Sequence, residues 1–360
     1  MSLEFSVRPA ERVPDRERAR LVKDPPFGQV FTDHMITIRW DAERGWHDAR
    51  LEPYGPLPLA PSAQVFHYGQ AIFEGLKAYR RPDGSVVAFR PDANARRLNR
   101  SAARIAMPAL PEEDFLAALE LLVGTDRDWV PEHPGHSLYV RPFMVATEPS
   151  LGVYRPSGRY LFVIIAAPAG SYFKGGVKPV SAWLSTEYVR AAPGGTGEAK
   201  FGGNYAGTFL AQRQAAEQGC DQVVWLDAGE RRWVDEMGTC NLFFVYGSRL
   251  VTPALTGTLL PGVTRDSVIT LARDLGYPVE EGRVSVPDWR ADAASGALTE
   301  VFSCATSSLL TPVDRVKGRD VEWTIGDGSP GPVTTRLREE LTGIQLGERP
   351  DPYGWVHKIT

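Results

Sequence analysis

The chain carries short runs of apolar residues, separated by clusters of glycine, proline and charged residues. Runs of about four to eight residues that are rich in β-branched and aromatic side chains are typical of β-strands. The clearest run, residues 160–167, predicts a buried strand. Strands are predicted at residues 35–40, 137–142, 160–167, 180–184, 222–226, 241–246 and 249–252.

Other stretches repeat apolar residues at the spacing of a helix. Phe115 is followed by apolar residues three, four and seven positions later, which places them on one face of a helix. The pair Pro91 and Asp92 is a helix start signal. Helices are predicted over residues 92–105, 111–123, 205–218, 264–275 and 334–342.

A glycine-rich segment, residues 170–176, divides the chain. It follows a predicted strand and precedes a new alternating segment, which is typical of a domain boundary. A chain of 360 residues is also longer than one hydrophobic core usually organises. We therefore predict an α/β protein with a smaller N-terminal domain over residues 1–170, a linker over 171–180 and a larger C-terminal domain over 181–360.

Composition and charge exclude several classes of protein. Lysine and arginine number 40 and aspartate and glutamate 44, so the net charge of −4 gives no reason to expect a surface for nucleic acid or anionic membranes. No apolar run approaches the roughly 20 residues of a membrane helix, and the charged N-terminus lacks the apolar region of a signal peptide. We therefore expect a cytoplasmic protein.

Cysteine and histidine positions predict neither a disulfide nor a metal site. Cys220, Cys240 and Cys304 lie too far apart for a Cys-x-x-Cys motif, and we expect all three to be small buried side chains. His133 and His136 lie close together, but in a segment of loop composition rather than at helical spacing.

The most unusual window surrounds Lys200 with six glycines in residues 194–207. The nucleotide-binding motifs fail here, because Ala199 and Phe201 flank the lysine and a dinucleotide fingerprint would need a glycine at its position. A lysine in a loop is usually a solvated charge. Crowded glycines instead suggest that something flat approaches the backbone, as a lysine that forms a Schiff base with an aldehyde cofactor would require.

Glu236 stands just before the predicted strand 241–246. By itself such a residue is usually an acid on the surface. Beside a pyridine ring, an anion would keep the ring nitrogen protonated, so that the ring could act as an electron sink. The residue alone leaves both interpretations open.

Three further positions could bind a phosphate. The run Leu-Pro-Gly-Val-Thr ends at Thr264, where a predicted helix begins, and helix N-termini bind anions. An ordinary threonine N-cap is the alternative. Arg97 could supply positive charge, although such an arginine is usually a solvated side chain. Residues 303–308 offer hydroxyl groups at a predicted strand end.

Taken in this order, the windows resemble the fold-type-IV pyridoxal-phosphate transaminases and, within that group, the branched-chain amino-acid aminotransferases. The resemblance spans roughly residues 27–345. In the first half it is carried by four segments, residues 66–79, 89–101, 138–142 and 148–152. Because so many segments match in the same order along the chain, the agreement is not a matter of chance.

The resemblance implies pyridoxal 5′-phosphate as the cofactor and a role for each matching residue. Lys200 matches the Schiff-base lysine, which also moves the proton between substrate and cofactor. Tyr205 matches the tyrosine at the ring's phenolate oxygen, and Glu236 the acid at the pyridine nitrogen. The phosphate site is matched by Arg97, Val263, Thr264 and Thr306, and the substrate pocket by Tyr68, Phe73, Tyr139, Arg141, Thr239 and Ser307.

The activity that the resemblance implies is a reversible ping-pong transfer of the amino group between leucine, isoleucine or valine and 2-oxoglutarate. It also implies a homodimer, in which residues 148–154 reach a neighbour's active site. A D-amino-acid transaminase or an aminodeoxychorismate lyase of the same fold is the nearest alternative, and the match over residues 66–74 and 139–142 argues against both. A non-enzymatic binding module would have no use for Lys200 together with Glu236.

Overall fold

In a computed structural model, residues 3–133, 135–171 and 177–360 are described, and they form two compact units. The first unit comprises Met1–Ser171, Ala199–Gly203 and Gly343–Thr360. The second comprises the described residues of Tyr172–Glu198 together with Asn204–Thr342. Residues 172–176 of the predicted linker lie outside the described residues, and the predicted linker stays a prediction.

The first unit is built on a nine-stranded sheet. Its strands are β1 (Phe5–Val7), β2 (His34–Asp41), β3 (Gly45–Pro53), β4 (Ala71–Phe73), β5 (Leu76–Arg80), β6 (Val86–Phe89), β7 (Ser137–Ala146), β8 (Arg159–Ala169) and β18 (Val356–Lys358). They follow the order β1-β3-β2-β8-β7-β5-β6-β18, with β4 paired to β7. Only β1 and β3 pair in parallel among these strands.

Four helices accompany this sheet, namely α1 (Asp15–Lys23), α2 (Gln64–Tyr68), α3 (Pro91–Arg104) and α4 (Glu112–Thr125). The predicted apolar face of α4 is fully buried, and α4 packs on β2 and β8. There Phe115 meets Phe162 with ring centres 6.1 Å apart. Burial of this face is what holds the helix to the sheet, because a large buried side chain contributes about 1.5–3 kcal/mol.

The second unit contains another nine-stranded sheet. Its strands are β9 (Val180–Leu184), β10 (Gln222–Leu226), β11 (Val234–Met237), β12 (Asn241–Tyr246), β13 (Arg249–Pro253), β14 (Val279–Gly282), β15 (Glu300–Ala305), β16 (Leu309–Lys317) and β17 (Glu322–Thr324). They follow the order β11-β10-β9-β16-β15-β12-β13-β14, with β17 paired to β16. On adjacent strands, Phe243 and Phe302 stack with ring centres 5.0 Å apart.

The remaining helices are α5 (Gly202–Ala206), α6 (Phe209–Glu217), α7 (Val263–Asp274), α8 (Val286–Ser295) and α9 (Pro332–Leu346). The single helix predicted over residues 205–218 is therefore wrong. The chain breaks between α5 and α6 because both the backbone N–H and the hydroxyl of Thr208 bond the carbonyl of Tyr205. A threonine hydroxyl that takes a backbone carbonyl in this way competes with helix continuation.

The other predicted elements are present, most of them extended by one to four residues at an end. The cysteines differ slightly from expectation: Cys220 and Cys304 are buried, but Cys240 is only half-buried. Across the described ranges, no helix combines the length and the apolar character that crossing a membrane requires.

Candidate active-site residues

The backbone of Lys200 is held on both sides within the first unit. Its N–H donates to the hydroxyl of Ser101 on α3 across 2.9 Å, and its carbonyl accepts from the N–H of Phe73 at the end of β4 across 3.0 Å. The side-chain Nζ lies 4.7 Å from the centre of the Phe73 ring, a cation–π distance. The lysine is half-buried, so it is not the solvated loop charge of the alternative interpretation.

Arg97 forms a buried ion pair with Glu74, again within the first unit. Nε lies 2.8 Å from Oε1 and Nη2 lies 2.7 Å from Oε2, so the pair is bidentate. Exposure is 5% for the arginine side chain and 0% for the glutamate. The interpretation of Arg97 as a solvated helix residue is therefore wrong, and Glu74 is a partner that sequence reasoning missed.

Glu74 is ionised despite its complete burial. Burial raises the pKa of this carboxyl, but the charge and hydrogen bonds of Arg97 and the nearby charge of Lys200 outweigh it and lower the pKa. Asn94, one turn before Arg97 on α3, adds a hydrogen bond of 2.7 Å from Nδ2 to Oε2. The carboxylate thus lies in one electrostatic cluster with both candidate residues.

Three predicted substrate-pocket residues come together beside Lys200. Tyr139 and Arg141 are two positions apart on β7 and therefore share a face. Nη2 of Arg141 donates to the hydroxyl of Tyr139 across 3.0 Å, and the guanidinium lies 4.8 Å from the centre of the Phe73 ring. Among the described residues, the buried Nε of Arg141 has no hydrogen-bond partner.

Gly75 makes room for this group. A Cβ at this position would overlap the hydroxyl of Tyr139, so any larger residue would displace the phenol. Sequence reasoning missed this role, although the glycine stands close to a predicted pocket residue. Tyr68 has different surroundings from the other pocket residues: it is 43% exposed, and its hydroxyl donates to the carbonyl of Leu151.

In the second unit, Glu236 lies on β11 and is 2% exposed, so the interpretation as a surface acid is wrong. Its Oε1 lies 2.7 Å from Nε of Arg190, and its Oε2 accepts from the N–H of Leu260 across 3.3 Å. Arg190 also donates to the carbonyls of Gly197 and Thr258. Sequence reasoning missed Arg190, because nothing near it in the chain marks a buried arginine.

The glycines at two predicted positions serve close packing of the chain itself. A Cβ on Gly197 would overlap the carbonyl of Thr258, and one on Gly262 would overlap the side chain of Asn241. Asn241 in turn donates from Nδ2 to the carbonyl of Leu260 across 3.0 Å. The segment in front of α7 is thereby fixed.

Helix α7 begins at Val263 with Gly262 as its N-cap, one residue earlier than predicted. Thr264 lies in the first turn, so the threonine N-cap of the alternative interpretation is wrong. In the described structure no side chain caps this 12-residue helix. Its first N–H groups and the positive end of its dipole are groups of the kind that binds anions, and the phosphate site here stays a prediction.

Two turns lie at one end of the second sheet. Thr239 is in the turn before β12, while Thr306 and Ser307 are in the turn between β15 and β16. Because β12 and β15 pair with Asn241 opposite Cys304, these turns are neighbours. Tyr205 lies in α5, where its carbonyl accepts from Thr208. The roles assigned to these residues from the resemblance stay predictions.

Comparison with known proteins gives a consistent result. Residues 71–316 match the family described as amino-transferase class IV. The chain is 58% identical to the branched-chain-amino-acid aminotransferase of Mycolicibacterium smegmatis, with 99% of this chain and 98% of the relative covered.

Two solved structures are also similar. The branched-chain amino acid aminotransferase of Escherichia coli superposes with a TM-score of 0.76 at 27% identity, covering 91% of this chain and 99% of that one. The branched-chain amino acid aminotransferase of the archaeon Thermoproteus uzoniensis, solved with norvaline, gives a TM-score of 0.75 at 26% identity and covers 91% and 100%.

Proposed function

This chain belongs to the class IV aminotransferase family and, within it, to the branched-chain-amino-acid aminotransferases, and we propose from this premise that it transfers the amino group reversibly between leucine, isoleucine or valine and 2-oxoglutarate. The observation that carries the proposal is the double role of α3. One turn apart on this helix, Arg97 presents a buried cation and Ser101 binds the backbone of Lys200. This arrangement suits a molecule with a phosphate and an aldehyde.

We propose pyridoxal 5′-phosphate as that molecule. When bound, it supplies an electron sink that stabilises the carbanion formed at the substrate Cα. The chain's residues fit it chemically: Arg97 offers charge, the uncapped N-terminus of α7 offers the N–H groups of Val263 and Thr264, and Thr306 offers a hydroxyl. Glu236 offers the buried anion that a pyridine nitrogen needs.

Lys200 is the proposed base. Its amine would hold the cofactor aldehyde as a Schiff base. Once the substrate's amino group has displaced it, the free amine would move the proton from the substrate Cα to the cofactor's C4′. The hydrogen bonds at both its backbone groups restrict where this amine can reach. Glu236 would keep the ring nitrogen protonated, and Tyr205 would donate a hydrogen bond to the ring's phenolate oxygen.

Arg141 is the proposed receptor for a substrate carboxylate. It is a half-buried cation whose Nε has no hydrogen-bond partner among the described residues, and such a group favours an anion. The rings of Phe73 and Tyr139 lie against the same guanidinium and offer an apolar surface to a branched side chain. One pocket can therefore accept both glutamate and leucine, with Tyr68, Thr239 and Ser307 as further proposed pocket residues.

We propose a homodimer as the working state. An apolar surface is formed by α2 and residues 148–154, which are joined by the hydrogen bond from Gln64 N–H to the Glu148 carbonyl. Its exposed apolar side chains are Phe66, Tyr68, Leu151, Val153 and Tyr154. Tyr154 is 99% exposed, which is costly for an isolated chain and favours cover by a second copy.

The test is the visible absorption spectrum of the purified protein during addition of leucine and then 2-oxoglutarate. The proposal expects the band of bound pyridoxal phosphate to shift with leucine and to return with 2-oxoglutarate. A band that shifts on addition of D-alanine and not on addition of leucine would overturn the proposed substrate class. No band after incubation with pyridoxal phosphate would overturn the cofactor.

A further inference from the structure

Glu74 is completely buried and takes no direct part in the chemistry proposed above. Both of its carboxylate oxygens face Arg97, with distances of 2.8 Å and 2.7 Å. Oε2 also accepts from Asn94 Nδ2 across 2.7 Å and from the N–H of Gly75 across 3.2 Å. A carboxylate with four donors around it is fixed in orientation, and it fixes those donors in turn.

The contact with Glu74 determines the orientation in which the Arg97 guanidinium can bind an anion. Glu74 binds the Nε and Nη2 edge of the guanidinium, which fixes the orientation of the whole planar group. A long arginine side chain without such a partner would sample several rotamers, and ordering it on binding would lower the affinity. An arginine already held by a carboxylate avoids that loss.

We propose that Glu74 is a positioning residue that holds the Arg97 guanidinium in the orientation from which it binds the cofactor's phosphate group. This inference rests on the proposed function, in which Arg97 binds that phosphate. It adds a residue, next to Phe73 in the chain, that acts through Arg97 and determines selectivity for the phosphorylated form of the cofactor.

The chemistry of the contact predicts what a neutral side chain would do. In Glu74→Gln, one oxygen becomes an NH2 group, which faces donors of Arg97 or Asn94 instead of accepting from them. Arg97 then loses its bidentate partner and its fixed orientation. Binding of a phosphorylated ligand should suffer, whereas binding of the ring should not.

The experiment compares pyridoxal 5′-phosphate with pyridoxal, which lacks the phosphate. Full-length protein freed of cofactor is titrated with each compound, and the dissociation constants are obtained from the absorption of the bound form. For Glu74→Gln we expect a loss of about tenfold or more for pyridoxal phosphate and little change for pyridoxal, since a charge-assisted contact is typically worth that factor. The ratio of the two constants is the readout.

A matched control is Glu300→Gln in the second unit. Glu300 is also buried, at 7% exposure, and accepts from the N–H groups of Val333 and Thr334 at the start of α9. This variant should lower the thermal midpoint and leave the ratio of the two constants unchanged. A general effect of losing a buried carboxylate is thereby separated from an effect on the phosphate.

A double-mutant cycle tests the route through Arg97. In an Arg97→Met background, the additional change Glu74→Gln should cause no further loss of selectivity for the phosphate. If Glu74→Gln does not fold, Glu74→Asp retains the charge on a shorter arm, and we expect it to lose phosphate selectivity in part.

Two results would count against the inference. Equal losses for pyridoxal phosphate and pyridoxal, or a further selective loss in the Arg97→Met background, would make Glu74 a structural residue only. Failure of the unmodified protein to bind either compound is a different outcome, because it would overturn the proposed function itself.

Discussion

Nε of Arg190 lies 2.7 Å from Oε1 of Glu236, and the two side chains are 5% and 2% exposed. The arginine comes from the segment before the glycine-rich window, and its Nη1 binds two carbonyls, at Gly197 and Thr258. One guanidinium therefore holds the candidate ring-nitrogen acid and two loops together. Removing it should affect both stability and cofactor chemistry.

We predict that Arg190→Met lowers the free energy of unfolding by about 3–5 kcal/mol, because Glu236 is left buried without its partner. Chemical denaturation of the cofactor-free protein measures this. Arg249→Met is the matched control: Arg249 and Glu280 form an exposed pair, at 50% and 56% exposure, worth at most about 1 kcal/mol. Similar losses for the two variants would contradict the importance of burial.

Lys200→Ala should abolish transamination, since the proposed base is the amine that this change removes. The fold should persist, because the contacts of residue 200 with Ser101 and the N–H of Phe73 are made by its backbone. Steady-state kinetics and circular dichroism measure the two effects. The exposed Lys358→Ala serves as the control and should keep full turnover. Substantial turnover by Lys200→Ala would rule out the assigned base.

Arg141→Leu should separate the two half-reactions. Losing the cation should raise KM for 2-oxoglutarate and glutamate by about 10- to 100-fold, the usual effect of one charged hydrogen bond. The KM for leucine should change much less, because the side chain of leucine carries no carboxylate for Arg141 to bind. Single-turnover measurements with each substrate test this, and a uniform loss would show that Arg141 does not distinguish them.

The exposed apolar surface gives a prediction about assembly. The double change Leu151→Asp and Val153→Asp places two charges where side chains 62% and 60% exposed would be covered by a second copy. Light scattering should show a dimer for the unmodified protein and a monomer for this variant. Val7→Asp, at a comparable exposure of 59%, is the control and should stay a dimer. A dimer in all three proteins would place the interface elsewhere.

The pH dependence of stability has a specific contribution from Asp235. Burial raises the pKa of this carboxyl to about 6, although the Thr258 hydroxyl opposes the shift. The folded state therefore holds the proton more tightly than the unfolded state, whose pKa is the ordinary 3.8. This favours folding below pH 3.8, and the advantage is lost as the pH rises through 6.

Asp235→Asn should accordingly increase the free energy of unfolding at pH 8 by about 1–3 kcal/mol, and it should change this free energy little at about pH 4. Urea denaturation across this range measures it. The carboxyl of Asp41 should have the opposite effect on stability, because hydrogen bonds from Arg44 lower its pKa to about 2. Asp41→Asn should lose stability near neutral pH. A gain for Asp235→Asn that does not depend on pH would exclude the titration as its cause.

Local patterns predicted several buried strands, but they missed β6 and β11, in which every residue is buried. The strands at residues 180–184, 222–226 and 241–246 have the predicted bounds, and most of their residues are buried in the sheet. The prediction failed at residues 205–218, where the Thr208 hydroxyl competes for a backbone carbonyl. It also missed α1, a helix of 9 residues in which no residue is fully buried and in which Leu21 and Val22 pack against the core.

The sequence by itself determined the alternation of strands and helices, and it singled out Lys200 and Glu236 through the motifs around them. Only the tertiary structure decided which charges are buried and what pairs with them. Arg97 meets a carboxylate 23 positions earlier, and Glu236 meets an arginine on a different segment. The free energy of a charge depends on the groups that replace its water, and folding brings those groups from distant parts of the chain.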